Sequence, residues 1–176
     1  MLLKVTTRIS AEDTGGSLHD RLAKIGPPAV VQAIAGLAAG TLQGEVQDDS
    51  LATYAHTLNK DEARIDWSRP AVELERQIRA FNPWPICHST LHGETLKVLE
   101  AKLDHEVSYS ESMIYVNGAI THVSKEGLVV ACGSGHLCLT RLQLPGGKAL
   151  NFSDLFNSRR EKFAAGILLG QAVDAQ

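Results

Sequence analysis

Cysteine and histidine crowd together at one place in this sequence, Cys87-His88 with His92 close behind, and two more cysteines, Cys132 and Cys138, stand six positions apart. Neither spacing is one that structural zinc sites use, and an alternating strand puts His88 and His92 on one face with Cys87 on the other. A strand with incidental His and Cys, and no metal, is the expected reading. Gly133-Ser134-Gly135-His136 brings a hydroxyl near an imidazole. No G-x-S-x-G accompanies it, however, and a hairpin turn between two strands explains both glycines. Glu73 and Glu75 stand beside Arg76 and Arg79 and read as solvated charges on a helix. Spacing alone therefore reveals no catalytic residue and no cofactor-binding residue.

The cations suggest a different chemistry. Lys60 and Arg64 precede a helix that carries Arg76 and Arg79, Lys148 sits in a Gly-rich turn, and Arg159, Arg160 and Lys162 follow in the C-terminal region. Brought to one face by the fold, they would suit a phosphate backbone. Composition lends no help: 17 Lys and Arg against 20 Asp and Glu give a formal charge of −3 over 176 residues. A polyanion site must therefore come from clustering within a balanced surface. At 44% hydrophobic and 21% charged the chain suits a globular protein and not a disordered one. Three unpaired cysteines fit a reducing compartment, and no run of apolar residues is long enough for a membrane helix.

These residues need elements to position them. Residues 2–9 come close to alternating and read as a strand. Leu18, Leu22 and Ile25 make one helical face, capped by Thr14 or Ser17 and closed by Gly26. Pro27-Pro28 would open a second helix through Val30, Ile34 and Leu37 to Gly40. Residues 41–66 look like a connector, with a possible short strand over 53–58. Ser68 would cap a helix on which Ala71, Leu74, Ile78 and Phe81 face inward, and Asn82-Pro83-Trp84-Pro85 stops it. Asn82 and Trp84 are expected to fill core or fix a rigid corner. The period then changes to two, with strands expected at 86–92, 95–103, 112–116, 119–124, 127–132 and 135–144. Gly-bearing turns join several of them, which suggests a small antiparallel barrel. Ser153 would cap a short last helix, and the chain from Gly166 onward is expected to be loose.

Several runs together resemble a known family. Ile65-Asp66-Trp67, Ile78-Arg79-Ala80 and Phe81-Asn82-Pro83-Trp84-Pro85 resemble the start of the C-terminal domain of the methionyl-tRNA formyltransferases. Leu142-Gln143-Leu144-Pro145-Gly146-Gly147-Lys148, Asp154-Leu155 and Asn157-Ser158-Arg159-Arg160 resemble its end. Glu12-Asp13-Thr14, the Leu18/Leu22 helix and Glu45-Val46-Gln47-Asp48 resemble the close of that family's formyl-transfer domain. The helix element is shared with other folate-dependent formyltransferases, whereas FNPWP and NSRR point to those acting on tRNA.

The resemblance implies a mostly β fold, an OB-like antiparallel barrel with flanking helices, preceded by a strand and helix remnant of a doubly wound α/β domain. Residues 1–50 would be that remnant, 51–66 a linker, 67–165 the barrel and 166–176 a flexible tail. The implied reaction moves a formyl group from 10-formyltetrahydrofolate, the co-substrate of the full-length enzyme, to the amino group of initiator Met-tRNA in translation initiation. The family's catalytic Asn, His and Asp have no counterparts in this sequence, so the expectation is a C-terminal fragment, inactive alone, that keeps a tRNA-binding role. Its candidate contacts are Lys60, Arg64, Arg79, Lys148, Arg159 and Arg160, with Arg64 and Arg79 equally able to pair with Asp66 or Glu75. The resemblance implies a cytoplasmic location, no metal and no membrane contact, with a monomer for the full-length family and the state of the fragment left open. One alternative is the accessory domain of a relative that formylates a sugar amine or other small amine; another is an OB-type module with no enzymatic parent.

Overall fold

The computed structural model describes residues 1–104 and 115–171. Their contacts divide the chain into two compact units, Met1–Leu58 and Asn59–Gln176.

The first unit is built on one helix, α1 (Gly15–Ala38). Thr14 caps it reciprocally: its hydroxyl accepts from the Ser17 amide at 3.1 Å and its own amide donates to Ser17 Oγ at 3.0 Å. Two helices divided at Gly26 were expected, yet α1 runs straight through Pro27 and Pro28. Proline removes a donor but holds φ close to helical, and the carbonyls it orphans belong to Ala23 and Lys24, which are exposed to water. Gly40, at φ +68°, ends the helix where the sequence suggested. Neither residues 2–9 nor 53–58 form the strands expected of them; the N-terminal stretch is tied instead by Met1 and Glu45, which exchange backbone hydrogen bonds.

The second unit is a curled antiparallel sheet. Its strands are β1 (Cys87–Leu91), β2 (Glu94–Leu103), β3 (Ile120–Ser124), β4 (Gly127–Ala131), β5 (His136–Gln143) and β6 (Ala149–Asn151). They pair in the order β1-β2-β5-β4-β3, with β6 added to β5. The strand expected at 112–116 falls largely outside the described residues. Helix α2 (Ala71–Ala80) lays Ala71, Leu74 and Ile78 against the inner face. There they meet Leu96, Val98, Leu128, Val130, Leu137 and Leu139, all fully buried. Helix α3 (Phe152–Arg159) adds Phe152 and Leu155.

Residues 166–171 are not loose. The amides of Gly166 and Leu169 donate to the carbonyls of Ile120 and Gly118, and Gly170 donates to Thr90 of β1 at 3.0 Å. This segment thus bridges the two outer strands and closes the sheet into an OB-like barrel, with Leu169 buried as part of the seal. Residues 172–176 lie outside the described residues. Nor is the end of the expected linker separate from the barrel: Ala63 and Ile65 are buried, and the Ile65 amide donates to His88.

Two expected caps are replaced. Ser68 does not cap α2; its hydroxyl donates to Asp66 Oδ1 at 2.6 Å, and the Ala71 amide finds the Ser134 carbonyl at 2.8 Å. Ser153 lies inside α3, whose cap position, Asn151, makes no side-chain bond. At the corner after α2, Asn82 donates to the Leu99 carbonyl at 2.9 Å, as a corner-fixing residue would, while Trp84 is half exposed and not core.

Candidate nucleic-acid interface

The tight turn between β5 and β6 carries the first of the converging cations. Gly146 at φ +66° and a Gly147 amide bonded to the Leu144 carbonyl at 3.1 Å fold the chain back on itself. Gln143 donates to the Gly147 carbonyl at 2.8 Å, which stiffens the loop that presents Lys148. Facing it, α3 continues into a single 3₁₀ turn, Arg160–Lys162. Arg159 and Lys162 border the same space beside this turn.

Between them lies an open groove of about 730 Å³, walled by the 144–148 turn on one side and by Ser158, Arg159 and Lys162 on the other. Leu150 and Leu155 floor it, and no carboxylate lines it. Among the described residues neither Lys148 nor Arg159 takes part in an ion pair, and Lys162 meets only Glu94, at 3.9 Å. Cations clustered around an open groove with no carboxylate in its lining attract a polyanion and can hold its oxygens through charge-assisted hydrogen bonds.

The other sequence candidates go elsewhere. Arg160 turns to the opposite side of the segment, its guanidinium 4.9 Å above the Phe156 ring, and lines a second groove with His122 and Glu161. Arg79 donates to both Glu75 carboxylate oxygens from one guanidinium edge, Nε and Nη2, the longer bond at 3.2 Å, with both side chains mostly buried. Arg64 lines a third groove that also holds Asp61 and Asp66. The Asp66 carboxyl is held below its usual range by the Ser68 hydroxyl and amide, so it stays charged beside Arg64. Lys60 sits on the 3₁₀ turn Lys60–Ala63, capped by Asn59, and lines none of these grooves. Lys162, named among the C-terminal cations but outside the six candidate contacts, lines the same groove as Lys148 and Arg159.

Other chemistries find no arrangement to support them. Among the described residues no group of three or more His, Cys, Asp or Glu could hold a metal ion. Cys87 and Cys132 are buried, and burial pushes both thiols up to about 12, far from a reactive thiolate. Ser134 lies in the β4–β5 hairpin, whose Gly133 approaches the backbone so closely that a Cβ there would sit 1.7 Å from the Ser68 carbonyl. Gly133 allows this close approach, Gly135 takes a positive φ of +75° in the turn, and the serine carbonyl anchors α2. No described helix is long and apolar enough to cross a membrane.

The family described as formyl transferase, C-terminal domain, matches residues 57–160, and the chain belongs to that family. A methionyl-tRNA formyltransferase of Pseudomonas fluorescens strain Pf0-1 is 77% identical over all 176 residues, which are 53% of that protein. One from Pseudomonas putida strain GB-1 is 75% identical over 171 residues, 97% of this chain and 53% of its own length. The chain spans about half the length of the curated relatives it matches. Among solved structures, a variant of HypX from Aquifex aeolicus superposes on 85% of this chain and 27% of its own at a TM-score of 0.59. At 13% identity that likeness concerns the fold alone.

Proposed function

We propose that this chain is the tRNA-binding half of a methionyl-tRNA formyltransferase, and that the Lys148–Arg159–Lys162 groove holds the phosphate backbone of initiator Met-tRNA. The observation that carries the reading is this convergence of three cations from two elements in a groove with no carboxylate. The names of the relatives at 77% and 75% identity favour Met-tRNA over a sugar amine or other small amine as the formyl acceptor. In this reading residues 1–50 belong to the formyl-transfer domain, the barrel positions the tRNA, and Lys60 and Arg160 add outlying phosphate contacts. Arg64 and Arg79 are structural. Contacts to phosphates orient the substrate without reading its bases, which suits an accessory barrel. The reaction, formyl transfer from 10-formyltetrahydrofolate in the cytoplasm, belongs to the whole enzyme, and no residue of this chain is assigned to the folate.

Competition binding tests the reading. The 176-residue chain should bind initiator tRNA in a salt-sensitive manner, and a nucleotide-sugar should not displace it. With 10-formyltetrahydrofolate and Met-tRNA it should give no formylated product. Displacement by the sugar, or turnover by this chain alone, would overturn the assignment.

A further inference from the structure

The β1–β2 turn touches both walls of the basic groove. Leu91 and Glu94 pair across a two-residue loop, His92-Gly93, in which both residues have positive φ, +50° and +79°. This is the geometry of a type I′ turn, where asparagine is favoured first and a histidine is uncommon. The His92 imidazole reaches away from the turn to the carbonyl of Lys162, 3.0 Å from Nε2 and 70 residues on in sequence. A carbonyl only accepts, so Nε2 carries the proton. From the same turn, Glu94 approaches the Lys162 ammonium at 3.9 Å. The turn also packs on Leu144 and Pro145, at the base of the loop that bears Lys148, with a gap of only about 10 Å³ between them. One hairpin turn therefore fixes the 3₁₀ segment by a hydrogen bond and the loop by packing.

We infer that this turn sets the spacing of the groove's cations for a phosphodiester backbone, with His92 as a positioning residue and Glu94 as a built-in competitor for Lys162. The inference rests on the proposed tRNA-binding role of that groove. It explains why a histidine occupies a turn position whose backbone favours asparagine: the ring has the reach that Asn lacks. Glutamine, whose amide nitrogen extends about as far as Nε2, should replace it. Glu94 holds part of the Lys162 charge until a phosphate, carrying a full negative charge and entering the groove, displaces it.

Three variants of the full 176-residue chain test this with initiator tRNA as the probe. His92→Asn keeps the turn conformation but loses the bond, and should weaken binding by about two- to tenfold, the worth of one hydrogen bond. His92→Gln should bind within about twofold of the native chain. Glu94→Gln should bind more tightly with a similar salt slope, because the Lys162 ammonium no longer has to leave a carboxylate before it meets the same phosphate. A purely structural role for His92 makes the opposite forecast, since asparagine suits the turn at least as well. Hydrogen exchange adds a readout independent of tRNA: the Phe163 amide, bonded to the Arg160 carbonyl at 3.0 Å, should exchange faster in His92→Asn than in native or His92→Gln protein. Native-like binding and exchange in His92→Asn, or unchanged affinity in Glu94→Gln, would overturn the positioning role while leaving the tRNA reading intact. A native chain that binds no tRNA would remove both.

Discussion

Arg79 and Arg159 are the same residue type on exposed-looking helices, yet their surroundings separate them. Glu75 engages Arg79 four positions along α2, and both side chains are largely covered. Arg79→Ala should therefore cost about 1 kcal/mol of stability in a denaturant titration and leave tRNA affinity within about twofold. Among the described residues Arg159 has no such acid, so its loss should appear in binding. The sequence could offer both as contacts because spacing shows which charges share a helix face but not which carboxylate has already claimed them. Asp13 carries a second prediction at this scale. It accepts from both Arg21 nitrogens, at 2.6 and 2.9 Å, and from Ser17. Hydrogen bonding by Arg21, then by the Ser10 amide and the Ser17 hydroxyl, depresses its carboxyl far below the ordinary value. A depressed carboxyl stabilises the fold fully above its unfolded value, about 4, and loses that contribution as pH falls toward the folded value. The helical signal of α1 should thus weaken on acidification below pH ~4. Asp13→Asn should weaken it at neutral pH and flatten that part of the acid response, as circular dichroism would show.

At the scale of elements, what decides stability is where the barrel closes. Leu169 seals the segment between β3 and β1, and Leu169→Ala should lower stability by about 2–4 kcal/mol in thermal or urea melts. Gly133→Ala should be similarly severe, because its Cβ would land on the Ser68 carbonyl and force the hairpin away from α2. A near-native melt for either would contradict the packing described. Local signals made much of this fold legible. Gly-bearing turns marked His92-Gly93 and Gly133-Ser134-Gly135, and the 3.6-residue period marked α2. Three features escaped because tertiary surroundings, not local sequence, decide them. The closing segment takes its hydrogen bonds from strands about 50 and 80 residues earlier. Ser68 looked like a cap, but Ser134 supplies the Ala71 acceptor instead. Pro27-Pro28 looked like a boundary, yet the orphaned carbonyls were exposed and the helix continued.

For the whole molecule, a formal charge of −3 suggested no polyanion partner, and yet the cations are unevenly distributed. Arg64 has Asp61 and Asp66 beside it and Arg79 pairs with Glu75, while Lys148, Arg159 and Lys162 share a groove lined by no carboxylate, with Glu94 3.9 Å from Lys162 outside it. Composition averages over the arrangement, which is why the grouping was only partly legible: the sequence could name Lys148, Arg159 and Lys162 as cations, but only the fold brings them to one groove. Among the described residues the main hydrophobic cluster lies within residues 65–169, so the second unit has a core of its own beneath the groove. The central claim is that this groove binds tRNA phosphates. Its most direct test is the affinity of the chain for initiator tRNA as a function of salt, measured for native protein and for the Lys148→Ala/Arg159→Ala double variant. Log affinity should fall linearly with log salt in both proteins. The double variant should bind more weakly, with a slope shallower by about 1.5–2, because it neutralises two fewer phosphates. Equal slopes for the two proteins would contradict the account.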